Sequence, residues 1–392
     1  MRICHVAPEL LPVPPTRGGA IERWIRDAAT RLAARGHDVH VISRDDGNGD
    51  GARIIDGVHY HYLRIAPAID RGLAAVMFRG LRHYLGAKSL LASIQPDIVH
   101  HHSRPAGLWL SKTGARRAAQ VISLHSMEYG WAFGYAGWDR RVFNRGFKAA
   151  ARVLGVSNFI RSHVEARYPA VRAKSRTVYN GVDGTLFKPP SPDGYGEPGS
   201  DPRDAPILYV GRVESRKGVH VLVDAFEQVI SKQRPQSRLR IVGPHSYWDE
   251  RPSAYYRALA ERCSGNPRIE LRGPTFNDEE LAAVYRDSAC TVVPSTFPEA
   301  LGLTSLEAQA SGVPVVVSNA GGLPETVDAG KSGLVFENGN AAQLGEAVLS
   351  IIGNADRRRV MGTAARERVM KTFSWDVIAS ELERTYDEVI AA

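Results

Sequence analysis

The chain contains 392 residues, of which 43% are hydrophobic and 23% charged, with 37 Gly and 23 Pro. This composition is typical of a soluble globular protein and excludes a wholly disordered, collagenous or coiled-coil chain. No apolar run approaches the roughly eighteen residues of a membrane-spanning helix. Because a chain of 392 residues exceeds what one hydrophobic core usually serves, we expect two domains.

The N-terminus and the cysteines indicate the compartment and limit the metal chemistry. The opening MRICHVAPELLPVPP is interrupted by proline before the apolar core of a signal peptide could form, so we expect a cytoplasmic protein. Cys4, Cys263 and Cys290 are far apart and lack CxxC spacing. A disulfide framework or a zinc ribbon is therefore not expected, and each cysteine is predicted to be a small buried apolar residue.

Charge is distributed unevenly along the chain. The formal net charge is +8, yet residues 1–185 hold 27 Lys and Arg against 14 Asp and Glu, and the remainder holds 23 against 28. A basic first half and a mildly acidic second half predict different partners for each. An anionic small molecule, an anionic membrane and nucleic acid are the candidates for the first half.

The first half alternates short β-branched runs with helical patterns, as in an α/β protein with a doubly wound parallel sheet. A strand at 2–7 precedes a helix at 20–35, which Gly36 ends before a strand at 38–43. Further strands are predicted at 59–65, 97–102, 120–126 and 152–157, and further helices at 69–93, 105–118 and 157–168, the last capped by Ser157.

The alternation restarts after a segment rich in Pro, Gly and Asp at 188–206, which is typical of a linker or exposed loop. We therefore predict two Rossmann-like domains, 1–187 and 207–374, that face a cleft, with ligands bound outside the carboxyl ends of the strands. Strands are predicted at 207–211, 238–243, 268–273, 290–294 and 313–318, with helices at 218–231, at 278–287 after the cap Asn277, and over most of 341–392.

Gly18 and Gly19 lie between the first strand and the first helix. Two glycines let the backbone approach an anion, and a helix start offers free N–H groups. The pattern is not GxGxxG, so no NAD fingerprint is present, and an ordinary loop bend explains the pair equally well.

Arg212 directly follows the strand at 207–211, and Lys217 comes five residues later, before a helix. Both cations could serve one diphosphate, with Arg as a forked donor and Lys as a point charge. On spacing alone, two solvated surface cations are the simpler interpretation.

The segment PSTFPEALGLTSLEAQASG at 294–312 places Glu299 in a loop before a helix and Glu307 on its second turn. A carboxylate that accepts two hydrogen bonds suits sugar or ribose hydroxyls. The helix start at Gly302, Leu303 and Thr304 offers free amides to a phosphate.

His125 ends a predicted strand, at the edge where sites form in such sheets. The triplet His100, His101 and His102 does not predict a metal site, because neighbours in a strand point to alternate faces.

Together these segments resemble the GT4 family of retaining glycosyltransferases, which have the GT-B fold. The most specific part is PSTFPEALGLTSLEAQASGVPVVVSNAGGLPETV, which is similar to the family's E-x7-E segment. RGGAIERWI, SLHS, GVSNFI, NGVDGTLFKP, YVGRVESRKGV and FSWDVIASELERTY follow the family's order, so the resemblance covers nearly the whole chain. It implies that the C-terminal helix, 375–392, crosses back to the first domain.

The resemblance implies a role for each matching position. Arg212 and Lys217 would neutralise the donor diphosphate, Glu299 would contact the transferring sugar, and His125 would lie near that sugar and the scissile bond. The remaining implied donor contacts are backbone amides of Gly18–Gly19 and of Gly302, Leu303 and Thr304 at the diphosphate, Glu307 at the ribose, and Leu271 with Arg272 at the base.

This chain departs from the family pattern in two places. Leu301 stands where many members have Phe, which predicts altered packing near the sugar but unchanged phosphate contacts. The loop at 12–17 is also longer and richer in proline than expected.

The resemblance implies metal-independent transfer with retention by front-face attack, in which the departing phosphate helps to deprotonate the acceptor hydroxyl. No Asp-x-Asp motif is present. The cations and helix amides would stabilise the leaving diphosphate, and domain closure would exclude water. No cofactor is expected, and UDP or GDP would be the bound product.

The acceptor should bind the basic first domain as a glycan, a lipid-linked molecule or a small molecule, in the biosynthesis of cell-envelope polysaccharide or a glycoconjugate. The region 69–93 mixes apolar and basic residues. It predicts either peripheral contact with an anionic membrane or a core helix with a solvated basic face.

Family frequency favours a UDP-sugar donor, and a GDP-mannose-dependent mannosyltransferase is the alternative. A nucleotide-sugar 2-epimerase of similar fold is a second alternative, which the E-x7-E segment with Arg212 and Lys217 disfavours. A nucleic-acid-binding protein is suggested only by charge, and no recognition motif supports it.

Overall fold

The structure is a computed structural model of the chain. It describes residues 1–15, 19–45, 47, 51–65, 73–127, 138–189, 205–246, 251–275 and 277–392. The chain divides into two compact units: unit 1 comprises Met1–Asn180 with Trp375–Ala392, and unit 2 comprises Gly181–Ser374.

The strands and helices follow the predicted β/α alternation. The strands are β1 (Arg2–Val6), β2 (Asp38–Arg44), β3 (Ala52–Ile55), β4 (Val58–Leu63), β5 (Ile98–His102), β6 (Ala119–Leu124), β7 (Arg152–Gly155), β8 (Ser175–Thr177), β9 (Ile207–Val210), β10 (Leu239–Val242), β11 (Ile269–Arg272), β12 (Cys290–Val293), β13 (Val315–Ser318) and β14 (Gly333–Phe336). The α-helices are α1 (Ala20–Ala34), α2 (Leu73–Ile94), α3 (Pro105–Ser111), α4 (Trp138–Ala149), α5 (Asn158–Arg167), α6 (Val219–Ala225), α7 (Ser231–Gln233), α8 (Ala254–Ser264), α9 (Asp278–Arg286), α10 (Leu303–Ala310), α11 (Ala341–Ile352), α12 (Ala355–Thr372) and α13 (Trp375–Ala391).

Short helices of other types complete several elements. A π-helical segment, Phe226–Ile230, joins α6 to α7, so the predicted helix at 218–231 is one continuous element. The predicted helix at 105–118 is shorter than expected: α3 continues only as a 3₁₀ helix, Lys112–Gly114. The turn ends at Gly114, where the backbone lies so close to α2 that a Cβ would be 2.1 Å from the carbonyl oxygen of Lys88.

Unit 1 is built on an eight-stranded sheet in the order β3-β4-β2-β1-β5-β6-β7-β8. The pairs are parallel except for the antiparallel β3–β4 pair. β1 lies between β2 and β5, so the strand order reverses there, and the loops that follow β1 and β5 begin at the switch point. Ligands in open α/β sheets bind at such points.

The C-terminal helix α13 belongs to unit 1, as the resemblance implied. Trp375, Ile378, Leu382 and Tyr386 recur at helical spacing and are buried in the same core as Trp24 of α1. Because these side chains form one apolar stripe, α13 packs as a layer on the sheet of unit 1.

Unit 2 is built on a six-stranded sheet in the order β11-β10-β9-β12-β13-β14, and every pair is parallel. The strands are β-branched and largely buried, as expected for a sheet covered on both faces. The strand order reverses at β9, which lies between β10 and β12. The loops after β9 and β12 therefore meet at the switch point, and they carry Arg212, Lys217 and Glu299.

Two predicted helix caps are confirmed. The Ser157 hydroxyl accepts a hydrogen bond from the Ile160 N–H at 3.0 Å, and the Asn277 side chain accepts one from the Glu280 N–H at 2.9 Å. Each satisfies one of the backbone donors that a helix start leaves unpaired.

The division between the units falls at 180/181 rather than at the predicted residue 187. Val182 donates its N–H to the carbonyl of Phe373 at 2.8 Å, and Arg366 donates to the carbonyl of Phe187 at 3.0 Å. These bonds hold 181–187 against unit 2. Most of the predicted linker, 190–204, lies outside the described residues.

Cys4, Cys263 and Cys290 are free and buried, as predicted. Within the described ranges, none of the helices combines the length and the hydropathy that a membrane crossing requires.

Gly243, at the end of β10, allows this strand end to approach Gly211 at the end of β9 closely. A Cβ there would lie 1.9 Å from the carbonyl oxygen of Gly211, and its φ is +151°. We expect Gly243→Ala to lower the free energy of unfolding by about 1–3 kcal/mol, as overpacking does. Thermal denaturation should show a lower Tm. The matched control is Gly265→Ala, since that Cβ meets nothing closer than 3.6 Å; an equal loss in both variants would contradict this account.

Candidate active site

The loops after β9 and β12 pack backbone against backbone. Gly218 has a φ of +70°, and a Cβ there would lie 1.9 Å from the carbonyl oxygen of Pro294. The Thr296 N–H donates to the carbonyl of Arg216 at 2.9 Å. Only glycine permits this approach, so it fixes where the side chains of both loops are placed.

Lys217 and Glu299 form a direct ion pair across these loops. Nζ of Lys217 donates to Oε1 of Glu299 at 2.7 Å, and their side chains are 19% and 13% exposed. The Ser295 hydroxyl donates to the same carboxylate oxygen. The structure thus brings together two predicted site residues that are 82 positions apart in sequence.

Arg212 joins the same cluster through another carboxylate. Its Nη1 and Nη2 each lie 3.2 Å from an oxygen of Glu214, which also accepts from Nε of Arg216 at 2.8 Å. Arg216 and Lys217 make cation–π contacts with the Phe297 ring, at 4.9 Å and 5.1 Å from its centroid. Contacts therefore run without a break from Arg212 to Glu299.

We call this set the cation cluster; its members are Arg212, Glu214, Arg216, Lys217, Phe297 and Glu299. It holds three cations and two carboxylates, which leaves one positive charge in excess. Each carboxylate binds its cations through charge-assisted hydrogen bonds, which hold the cations in place.

The start of α10 follows this cluster directly. Gly302 precedes the helix with a φ of +107°, and Leu303 and Thr304 form its first residues. The first N–H groups of a helix lack partners within it, so these amides present partial positive charge. Leu301 is fully buried; altered packing near the sugar stays a prediction.

Glu307 lies on the second turn of α10, as predicted, and is 3% exposed. The Tyr285 hydroxyl donates to its Oε2 at 2.8 Å. A carboxylate this buried is held in one orientation, whereas Glu299 is partly exposed in the loop. The two glutamates of the E-x7-E segment therefore occupy different environments.

Leu271 and Arg272 end the edge strand β11. The Arg272 carbonyl accepts from the Gly243 N–H at 3.3 Å, so the chain here lies beside the end of β10. The Arg272 side chain pairs with Glu280, and Leu271 packs against the core of unit 2. The predicted role of Leu271 and Arg272 at the base stays a prediction.

In unit 1, Gly18 lies outside the described residues, and Gly19 precedes α1 with a φ of +113°. Glu22 is 4% exposed, and its Oε2 would lie 2.4 Å from a Cβ on Gly19. Burial raises the pKa of Glu22 to about 7. A carboxyl group therefore lies beside Gly19, on the side where a Cβ would project.

His125 follows β6 and is bonded to a row of histidines. Its Nε2 lies 3.0 Å from Nδ1 of His102, and Nε2 of His102 lies 3.1 Å from Nδ1 of His5. Burial lowers the pKa of His125 to about 3. Trp24 packs edge-on against the His125 ring at 5.2 Å between centroids.

The histidine triplet divides between the two faces of the sheet, as predicted. His101 bonds to Gln120, while His100 and His102 lie on the other face, stacked at 4.5 Å between ring centroids. With His5 they form a set whose nitrogens lie within 4.8 Å of one another, close enough for a metal ion. However, His100 already bonds to Tyr386 at 2.6 Å and Ser123 at 2.7 Å, so a metal would have to break one of these bonds. The expectation of no metal stays a prediction.

Sequence reasoning missed several of these residues. Glu214 was detectable, because it lies two positions from both Arg212 and Arg216. Tyr285, Glu22 and His5 carried no local signal, since each meets its partner only through the packing of separate elements.

Two units, one on a mostly parallel sheet and the other on a fully parallel sheet, are the architecture of the GT-B fold, which solved glycosyltransferases share. Sucrose-phosphate synthase from Thermosynechococcus elongatus shares the fold, with a TM-score of 0.79, 24% identity and coverage of 100% of this chain and 99% of that one. Anabaena HepE, solved in complex with UDP and glucose, has a TM-score of 0.73 and 19% identity over 99% of both chains.

The sequence comparisons identify the family. The family model described as Glycosyltransferase Family 4 matches residues 18–185, and that described as Glycosyl transferases group 1 matches 196–368. Alpha-maltose-1-phosphate synthase of Mycolicibacterium smegmatis is 30% identical over 75% of this chain and 79% of its own length. Spore coat protein SA of Bacillus subtilis is 28% identical over 99% of this chain and 100% of its own length. The chain belongs to this family of glycosyltransferases.

Proposed function

We propose that the protein transfers a sugar, with retention of configuration and without a metal, from a UDP-sugar to a hydroxyl of a glycan, glycolipid or small molecule. The observation that carries this proposal is the cation cluster. It lies where nucleotides bind in open α/β sheets and ends beside the amides of α10.

The chemistry follows from the charge that develops as the donor's C1–O bond breaks. Negative charge accumulates on the leaving diphosphate, and donors that are already oriented stabilise it without reorganisation. Lys217 has three N–H donors, so it can keep its bond to Glu299 and still donate to a phosphate oxygen. Arg212 supplies a planar fork that suits phosphate.

Glu299 acts in this proposal as a hydrogen-bond acceptor for sugar hydroxyls and not as a covalent nucleophile. Its Oε1 already accepts from Lys217 and Ser295. A carboxylate held in this way is a weak nucleophile and a well-oriented acceptor. Front-face attack, with the departing phosphate taking the acceptor's proton, accounts for retention.

A UDP-sugar is favoured as donor because HepE was solved with UDP and glucose. GDP-mannose is the alternative donor, and nucleotide-sugar 2-epimerisation is the alternative reaction. A thermal-shift panel of nucleotide sugars identifies the donor, since a ligand that binds the native state raises the Tm. Epimerised nucleotide sugar formed without acceptor would favour the isomerase.

Removing either cation of the cluster should strongly reduce the rate of transfer while the fold survives. For Arg212→Ala and Lys217→Ala we expect kcat to fall by about 10²–10³-fold, the effect of losing one oriented charge-stabilising donor. Steady-state kinetics with the donor found by thermal shift measure this. The control is Lys331→Ala, a lysine of unit 2 whose side chain is 77% exposed. Near-parental turnover in either cluster variant would defeat the diphosphate assignment.

Glu307 should contribute to donor binding through the ribose. We expect Glu307→Gln to raise the donor KM by about 10–150-fold, because hydrogen bonds to a charged group contribute about 1.5–3 kcal/mol. Glu346→Gln, at an exposed position of α11, is the matched control. An unchanged donor KM in Glu307→Gln would count against the ribose role.

We further propose that α2 makes peripheral contact with an anionic membrane. Phe78, Leu81 and Leu85 are 61%, 41% and 46% exposed on this helix. Arg82 and Lys88 are exposed on it too. Apolar and basic groups together on one helix suit a surface of anionic lipid.

Replacing two of these apolar residues should weaken binding to lipid. We expect Phe78→Ser with Leu81→Ser to reduce sedimentation with vesicles of phosphatidylserine and phosphatidylcholine at least tenfold, because about 1.5–3 kcal/mol is lost per apolar side chain withdrawn. Val360→Ser, at an exposed position of α12, is the control. If the parent protein does not sediment with these vesicles, α2 does not contact membrane.

A further inference from the structure

Hydrogen bonds join the rings of His5, His102 and His125 in a row. The surroundings of the two end rings determine which ring donates in each bond. The middle ring, His102, uses both nitrogens, at 3.1 Å to His5 and 3.0 Å to His125. A neutral imidazole donates from one nitrogen and accepts at the other. The three protons must therefore all point toward His5 or all toward His125.

The rings are neutral near pH 7. Burial lowers the pKa of His5 and of His125 to about 3 each. Burial also lowers the pKa of His102 well below its ordinary value. A neutral row allows only the two tautomer arrangements.

The surroundings of His5 select between them. Its Nε2 is buried and has no hydrogen-bond partner among the described residues. If the protons pointed toward His5, this atom would be a buried N–H without an acceptor. The indole of Trp24, 6.5 Å away between centroids, carries only a donor. Both nitrogens of His100, at 5.2 Å between centroids, are engaged elsewhere.

A buried N–H without an acceptor is a rarer defect in proteins than an unpartnered acceptor. The favoured arrangement therefore leaves a bare lone pair on Nε2 of His5. Nδ1–H of His5 then donates to Nε2 of His102, and Nδ1–H of His102 donates to Nε2 of His125. The remaining proton of His125 lies on its Nδ1, to which no described residue is bonded.

We propose that His5 and His102 are positioning residues that hold His125 in its Nδ1–H tautomer, so that the ring offers a donor at the end of β6. The consequence for transfer rests on the proposed function, in which His125 lies near the transferring sugar. His125 then donates to a sugar or phosphate oxygen, and it does not take the acceptor's proton, because both of its nitrogens are committed.

Ring ¹⁵N NMR of the full-length, histidine-labelled protein without ligand tests this directly, because protonated and bare ring nitrogens have distinct shifts. His125→Gln assigns the signals. We expect His125 to carry its proton on Nδ1, opposite to the tautomer that free histidine favours in water. A proton on Nε2, or an even mixture, overturns the proposal, and this measurement on the parent protein does not depend on any variant folding.

Three variants test the role of the row. His5→Leu leaves Nε2 of His102 without a partner; by the same rule this nitrogen should stay bare, so His125 should keep its Nδ1–H tautomer. His5→Asp places near the former Nδ1 a carboxylate that, when ionised, only accepts; His102 should then donate from Nε2, and His125 should change to its Nε2–H tautomer. His101→Leu, on the opposite face of β5, is the control and should leave His125 unchanged. A His125 tautomer that is unchanged in a folded His5→Asp protein, or reversed in a folded His5→Leu protein, contradicts the relay.

The two proposals fail separately. Since the tautomer is measured without donor or acceptor, its failure leaves the glycosyltransferase proposal standing. Conversely, parental turnover in His125→Gln alongside the expected tautomer would remove His125 from the reaction and leave the relay intact.

Discussion

The ion pair between Lys217 and Glu299 depends on backbone packing that only glycine permits. Gly218 lies against the carbonyl of Pro294, so the loops after β9 and β12 meet closely enough for the two side chains to bond at 2.7 Å. A cation held by a carboxylate keeps a fixed position before any ligand arrives, and an oriented charge stabilises a leaving group more than one that must reorganise. The donor chemistry proposed for unit 2 rests on this contact.

The same principle governs unit 1, with histidines in place of ions. Burial keeps His5, His102 and His125 neutral, and a neutral imidazole bonded at both nitrogens must choose one direction. The low-dielectric surroundings make an unpaired N–H costly. The bare Nε2 of His5 therefore affects which nitrogen of His125 carries a proton at the end of β6. The core as well as the loops thus determines where the His125 ring lies and which of its nitrogens carries the proton.

Glu22 adds a constraint that a helix start alone does not suggest. The region beside Gly19 offers amides to an anion, yet the structure places a carboxyl group there whose pKa is raised to about 7 by burial. A protonated carboxyl tolerates a neighbouring phosphate, whereas a carboxylate repels it. The role proposed for Gly19 therefore depends on whether Glu22 is protonated.

Periodicity and composition alone determined the two α/β halves, the caps at Ser157 and Asn277 and the placement of Glu299 and Glu307 around the start of α10, because these features depend on near neighbours in the chain. The boundary at 180/181, the pairing of Tyr285 with Glu307, and the joining of His5 to His125 were decided only by tertiary structure. They depend on which strand ends meet, and sheet order is determined by the packing of the whole unit rather than by any local pattern.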